Sequence, residues 1–262
     1  MAEMFASAVG YERLMGRWSA QLAPMFADFA QVQDGGRVLD VGCGTGALAK
    51  AIADTTRRCE IVGIDPARPS VDYARAQCAH PRIRFEYGDA LELGFPTASF
   101  DQTLSLLVLM FIPESEKATA EMRRVTRPGG TLAACTWERG GIEMASLFWD
   151  EAVRLDPDAA ARSRGPGRLS REGELGALWR SQGLQDVSET VLEMQMNFSS
   201  FDDFWQPHLY GVGPQGVYVA GLSTQGREAL REGLRGRCLG ERPDGAFSLR
   251  ARALAVRGTV PD

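Results

Sequence analysis

Lysine and histidine are nearly missing from this chain. Lys50 and Lys117 are its only lysines, and His80 and His208 its only histidines. No run of Lys and Arg appears, and 34 acidic residues outnumber 29 basic ones. Binding to a nucleic-acid backbone relies on clustered cations, so no nucleic-acid partner is expected. Five cysteines (Cys43, Cys59, Cys78, Cys135 and Cys238) are scattered without a Cys-x-x-Cys pair, which argues against a zinc site or a disulfide framework. No metal is expected. The longest apolar run, around Leu104 to Ile112, is far too short to cross a bilayer as a helix. The first residues show no basic leader followed by an apolar core, so no signal peptide is read there. A cytoplasmic, reducing setting is the expectation, with no membrane span. Neither an internal repeat nor a low-complexity tail is visible.

What is present begins at Val38-Leu39-Asp40-Val41-Gly42-Cys43-Gly44-Thr45-Gly46. Arg37 to Val41 reads as a buried strand, and Ala47 to Asp54 as the helix after it. Between them, glycines at alternate positions let backbone N–H groups and a positive helix end approach a ligand. Gly42-x-Gly44-x-x-Ala47 fits a loose dinucleotide fingerprint, which alone is weak. Asp40 sits two residues before the first glycine. An acid there repels a pyrophosphate and attracts a cation, so a ligand with an amine and a sulfonium suits the turn better.

The rhythm continues. Glu60 to Asp65 reads as a second strand, Pro66 to Pro69 as a turn and Val71 to Cys78 as a helix. Arg82 to Glu86 reads as a short third strand, Phe100 to Leu107 as a fourth, Glu114 to Thr126 as a helix and Thr131 to Trp137 as a fifth strand. Pro128-Gly129-Gly130 is a turn signal. Strands alternating with helices predict a doubly wound, mostly parallel α/β sheet. Upstream, Leu14, Trp18, Leu22, Met25 and Phe29 recur at helical spacing, so Tyr11 to Phe29 is expected to be helical. After Trp137 come a helix from Ile142 to Leu155, a loop from Asp156 to Arg168, a helix from Ser170 to Gln182 and a strand from Asp186 to Phe198. Phe201 to Gly240 reads as an insertion, ending in an Arg-rich helix from Thr224 to Leu239. Phe247 to Val256 closes the sheet.

Val38 to Gly46 resembles motif I of the class I S-adenosylmethionine-dependent methyltransferases, and the following motifs fall in the same order. Asp65, 19 residues after Gly46, matches the acid that takes both ribose hydroxyls. Gly88-Asp89-Ala90 matches the segment whose Asp reaches the adenine amino group. Phe100 to Leu107 matches the strand whose end passes under the methionine part, and Arg127-Pro128-Gly129-Gly130 matches the turn before strand five. The specific resemblance covers about residues 36 to 137. Tyr11 to Trp18 and the C-terminal part are loosely similar to a bacterial small-molecule branch of ubiquinone/menaquinone type. The resemblance implies S-adenosyl-L-methionine as cofactor, held by Tyr11, Arg17, Asp40, Gly42, Gly44, Gly46, Asp65, Pro66, Asp89, Ala90 and Leu106. It also implies a Rossmann-like seven-stranded sheet with one antiparallel strand, and helical and aromatic lid insertions. The chain is read as one methyltransferase domain over 1–262. Its parts are a helical cover over 1–30, a cofactor-binding core over 31–140, a helical insertion over 141–183 and a lid insertion over 197–240. Plainer readings stay open: Asp40 and Asp65 as helix caps, and Asp89 as a turn residue.

Departures from the family pattern concern the acceptor. Leu106 and Met110-Phe111 stand where polar residues or a His pair are common, which leaves that wall apolar. No Asn/Asp-Pro-Pro-Tyr/Phe follows strand four, which disfavours nucleobase-amine and glutamine-amide acceptors. Phe201, Phe204, Trp205, Tyr210 and Tyr218 cluster in the insertion, punctuated by Gly211, Gly213, Gly216 and Gly221. This suits a movable cover or a small satellite core. A small, apolar or aromatic acceptor is expected, touched by Trp18, Phe111, Trp137, Trp205 and Tyr210, with His208 as catalytic base or acceptor orienter. A nicotinamide-dependent oxidoreductase on a related fold and a non-catalytic cofactor binder are the rival readings. The methylated atom and the oligomeric state do not follow from the sequence.

Overall fold

A strand buried on both faces should read as a nearly continuous apolar run. β1 (Arg37–Val41) and β2 (Glu60–Asp65) do so. In the computed structural model, which describes residues 8–163 and 167–262, both are interior strands of a seven-stranded sheet. The first residues of the expected N-terminal cover, 1–7, and Arg164 in the expected loop lie outside the described residues.

Two short helical stretches open the described chain. α1 (Ala8–Tyr11) passes through a π-helical turn, Glu12–Gly16, into α2 (Arg17–Phe29). Then follow β1, α3 (Ala47–Thr55), β2, α4 (Arg68–Gln77), β3 (Ile83–Tyr87), β4 (Phe100–Leu106), α5 (Ser115–Val125) and β5 (Thr126–Ile142). The remainder is α6 (Glu143–Leu155), α7 (Glu174–Ser181), β6 (Gln185–Phe198), α8 (Phe201–Trp205), α9 (Gly213–Ala220), α10 (Thr224–Leu239) and β7 (Phe247–Thr259).

Strand order is β3-β2-β1-β4-β5-β7-β6. β1 pairs in parallel with β2 and β4, and β4 with β5. β7 runs antiparallel between β5 and β6. The sheet is thus the mixed Rossmann-like one expected. Chain order reverses between β1 and β4, and in open α/β sheets such a switch point opens a crevice at the carboxyl ends of the strands.

Two apolar cores cover the two faces. Val38, Ile61 and Leu104 pack with Leu22 and Phe26 of α2, Ile52 of α3 and Val71 of α4. Leu39, Val62 and Val256 pack with Met122 of α5 and Trp179 of α7 on the other. Side chains alternate along a strand, so Asp40 faces the same side as Val38, towards α2 and α3.

Some boundaries differ from expectation. α4 begins at Arg68, inside the expected turn, because Pro69 occupies its second position, where a missing N–H costs nothing. β5 takes in Pro128-Gly129-Gly130. Thr126 pairs with Phe100 and Thr131 with Gln102, so residues 127–130 form an outward excursion between paired stretches. Gly129 at φ +70° donates to the Val260 carbonyl there, and Val260 donates back to Gly130. The expected loop after α6 contains a short 3-10 turn, Pro157–Ala161, capped by Asp156.

Candidate functional site

Gly42, Gly44 and Gly46 all take positive φ, +77°, +51° and +90°. Each L side chain would be strained there. The Gly42 and Cys43 amides both donate to the Ile64 carbonyl, at 2.8 and 2.9 Å, which lays the turn across the end of β2. A Cβ on Gly42 would come within 2.5 Å of Val108, and one on Gly46 within 2.7 Å of Phe85. A Cβ on Gly44 would meet nothing within 4 Å. The first and third glycines therefore let the protein pack against itself, and the middle one faces open space.

That space is a cavity of about 350 Å³. Such a volume suits one small-molecule ligand. Its floor is the glycine turn and the end of β2. Asp65 receives the Gly44 amide on Oδ2 at 3.0 Å and the Ala67 amide on Oδ1 at 2.8 Å. Each carboxylate oxygen has two acceptor sites, so Asp65 is anchored with capacity left on both oxygens. Burial raises its carboxyl above the ordinary range, offset in part by those two amides.

Asp40 is the anomaly. It is 1% exposed, and among the described residues neither oxygen has a hydrogen bond of ordinary geometry. Buried carboxylates are normally paired or bonded. Burial, then the charge of Asp65, pushes Asp40 up to about 7, with a slight opposing pull from the Ala49 amide. Its side chain borders the cavity. Asp89, on the loop after β3, borders it too and accepts the Leu91 amide at 2.9 Å.

The opposite wall is apolar. Leu106, Leu107, Val108, Phe111 and Ile112 follow β4 around its carboxyl end. Leu107 takes φ +63°, which turns the chain so that Val108 seats over Gly42. A non-glycine residue held in that region costs on the order of 1–3 kcal/mol and is typical of ligand sites. Among the described residues, no Lys, Arg or His lines the cavity. Tyr11 and Ser19, joined by a 3.1 Å hydrogen bond, close it from the N-terminal helices. The Tyr11 hydroxyl is raised above its usual pKa, mainly by burial, so it is neutral at pH 7.

Of the residues singled out from the sequence, Tyr11, Asp40, Gly42, Gly44, Asp65, Pro66, Asp89, Ala90, Leu106 and Phe111 line this cavity. The others are placed elsewhere. Gly46 packs against Phe85 and starts α3. Arg17 pairs with Asp203 at 2.7 Å. Trp18 packs edge-on against Phe198, and Trp137 pairs with Ala253 inside the sheet. Trp205 is buried, and Tyr210 is 47% exposed against Arg13. His208 is fully buried, stacked 5.1 Å from Phe148 and flanked by Phe204. Its Nδ1 lies 3.3 Å from the Trp205 carbonyl, and its Nε2 has no hydrogen-bond partner among the described residues. Burial depresses its pKa to about 4. Ser19, Leu107 and Val108 line the cavity without having been singled out. Ser19 lies eight residues from Tyr11, which an ordinary helix would offset by roughly 80° around its axis.

Residues 38–130 match the sequence profile of a family described as a methyltransferase domain. Over those residues the chain is similar to a methyltransferase domain. The whole Gly-turn, Asp65 and Asp89 set falls within it, as does the apolar wall after β4. Over 119 residues the chain is 34% identical to 27-O-demethylrifamycin SV methyltransferase of Amycolatopsis mediterranei, covering 44% of this chain and 43% of that one. Over 98 residues it is 41% identical to demethylmenaquinone methyltransferase of Deinococcus radiodurans, covering 37% and 41%. The matches thus span less than half the length of these relatives. At the level of fold, a SAM-dependent methyltransferase from Thermotoga maritima superposes with a TM-score of 0.56 at 19% identity, covering 99% of both chains. Phosphoethanolamine N-methyltransferase 2 of Haemonchus contortus superposes with a TM-score of 0.58 at 18% identity, over 97% of this chain and 57% of that one.

Proposed function

We propose that the protein transfers a methyl group from S-adenosyl-L-methionine to a small, apolar or aromatic molecule. The observation that carries this reading is Asp40: a buried carboxylate that, among the described residues, has no hydrogen bond of ordinary geometry, beside a glycine turn in a cavity with two more aspartates and no cationic side chain. A pyrophosphate would face that charge at close range. A ligand bearing an ammonium and a sulfonium supplies the charge the carboxylate lacks. The matched methyltransferase domain supports the same choice.

In this reading Asp40 and the Gly42 and Gly44 backbone hold the amino-acid end of the cofactor. Asp65 takes the ribose hydroxyls through the acceptor capacity its two amide bonds leave. Asp89, with Ala90 and Pro66, frames the base, and Tyr11 closes the front. When bound, the cofactor supplies an electrophilic methyl group, and the protein mainly positions and dehydrates the reactants. Leu106, Phe111 and Ile112 keep water from the reacting face. Among the described residues no Lys or His lines the cavity, and no side chain is assigned as base to the transfer. His208, neutral and enclosed by aromatic rings, is not assigned a step. We read the chain as one domain with a core over 31–140, a cover over 1–30 and insertions over 141–183 and 197–240. We also read it as cytoplasmic and as not binding nucleic acid. In support, no described helix is long and apolar enough to cross a membrane, and all five cysteines are free.

Thermal shift with S-adenosylhomocysteine and with NAD(P) tests the cofactor. A ligand at about a hundred times its Kd stabilises the protein by about 2.7 kcal/mol. Stabilisation by the first and not the second is expected, and the reverse rejects the reading. Transfer of a labelled methyl group to one member of a panel of apolar phenols, acids and amines tests catalysis. Cofactor binding without transfer to any of them would favour a binder over an enzyme.

A further inference from the structure

Residues 199–222 carry many of the chain's aromatic rings, yet none of them borders the cavity. They grip the helices that do. Arg17 Nη1 donates to Asp203 Oδ1 at 2.7 Å, and its guanidinium lies over the rings of Trp18 (4.2 Å) and Phe198 (5.0 Å). Arg13 donates to the Tyr210 hydroxyl and sits 4.6 Å over its ring. A Cβ on Gly213 would touch Leu14 at 3.4 Å. Arg13, Leu14 and Arg17 thus form one face of the N-terminal helices.

Tyr11 and Ser19 form the cavity face, eight residues apart and hydrogen-bonded to one another. In an uninterrupted α-helix, about 3.6 residues per turn, positions seven apart share a face. The π turn at Glu12–Gly16 adds a residue and brings positions eight apart into line. Such turns concentrate at functional sites. The same turn therefore sets the phase between the cavity face and the gripped face.

The grip is itself fixed. Asp203 Oδ2 accepts the Ser199 amide at 3.0 Å, and Ser200 caps α8 through the Asp203 amide at 3.2 Å. Gly211 and Gly213 take φ +68° and +69°. Gly216 lies so close to Gly211 that a Cβ there would come within 2.9 Å of its carbonyl carbon. The segment is a built brace.

We infer that Asp203 and Tyr210 are positioning residues: through Arg17 and Arg13 they hold the Tyr11–Ser19 face over the cofactor cavity. The inference rests on the proposed cofactor reading of that cavity. Partly exposed ion pairs contribute little to global stability. A cover's closed fraction, by contrast, enters ligand affinity directly, since the apparent Kd is the intrinsic Kd divided by that fraction.

Calorimetric titration of S-adenosylhomocysteine into the full chain, with melting curves alongside, tests the inference. Asp203→Asn and Tyr210→Phe should weaken binding about fivefold to tenfold while Tm moves by less than about 4 °C. The swapped pair Arg17→Asp with Asp203→Arg should recover part of the loss. In a Tyr11→Ala background, Asp203→Asn should add nothing, because the face it positions is gone. Wild-type affinity in both single variants, or full multiplication of the Tyr11→Ala and Asp203→Asn effects, overturns the inference and leaves the cofactor reading intact. If the wild type itself binds no S-adenosylhomocysteine, the cofactor reading fails, and this inference with it. Should Asp203→Asn not fold, Tyr210→Phe, which removes one half-exposed hydroxyl, carries the test alone.

Discussion

The segment from β1 to the turn after β4 and the segment between β6 and β7 divide labour in opposite ways. The first has few rings and builds the cavity from glycines, aspartates and a short apolar turn. The second is crowded with rings and buries them in one another: Phe201, Phe204 and His208, with Phe198 at the end of β6, pack ring against ring with neighbouring centroids within 6 Å. Aromatic side chains carry large apolar area and tend to end up in cores. Close approach to a ligand falls instead to residues with little or no side chain. A cluster of rings in sequence is therefore weaker evidence for a site than a glycine turn with an acid before it.

The largest expected effect breaks the first segment alone. Asp65→Ala should weaken S-adenosylhomocysteine binding by roughly a hundredfold, since hydrogen bonds to a charged group contribute about 1.5–3 kcal/mol each. It also frees the Gly44 and Ala67 amides. Calorimetry reads the loss, and an unchanged Kd would remove Asp65 from the site.

The glycines sharpen the comparison within the turn. Gly42→Ala should cost about 2–4 kcal/mol in urea unfolding, from strain at φ +77° and the clash with Val108. Gly44→Ala, with φ +51° and open space ahead, should cost only about 1–2 kcal/mol, while still weakening the ligand that fills that space. Equal destabilisation would show that the turn does not face a cavity.

A smaller effect contrasts the two buried titratable groups. Asp40 titrates at about 7 folded against 3.8 as its ordinary value, so the folded ligand-free state holds more protons and stability falls as pH rises from about 4 to 7. His208 titrates at about 4 against 6.5, so the unfolded state holds more protons and stability falls as pH drops from 6.5 to about 4. Asp40→Asn should flatten the first slope and His208→Phe the second. His208→Phe should leave cofactor affinity unchanged and cost under about 1.5 kcal/mol, as near-isosteric core changes do. A large loss of cofactor binding in His208→Phe would return that residue to the site.

Much of this arrangement could be read without coordinates, for reasons that can be named. β1 and β2 are nearly continuous apolar runs because both faces of the sheet are covered, and glycines at positive φ have no substitute in a turn this tight. Asp40 and Asp65 stood at strand ends, where the switch point puts ligands. Other features depend on partners far along the chain. The excursion at 127–130 looked like the end of a helix because its pairing with Val260 is invisible locally. Arg17, expected on the cofactor, is taken by Asp203, 186 residues away. Ser19 was missed because the π turn that aligns it with Tyr11 breaks the helical period used to find faces. Trp205, Tyr210 and His208, read from composition as touching the acceptor, do not line the cavity at the glycine turn.

The dependence of S-adenosylmethionine affinity on pH, in the wild type and in Asp40→Asn, tests the central claim most directly. A cationic ligand needs the Asp40 carboxylate ionised. With a pKa of about 7, wild-type affinity should rise about tenfold from pH 6 to pH 8, following the ionised fraction. In Asp40→Asn the affinity should be weaker and flat across that range. A flat wild-type profile together with undiminished affinity in Asp40→Asn would contradict the account.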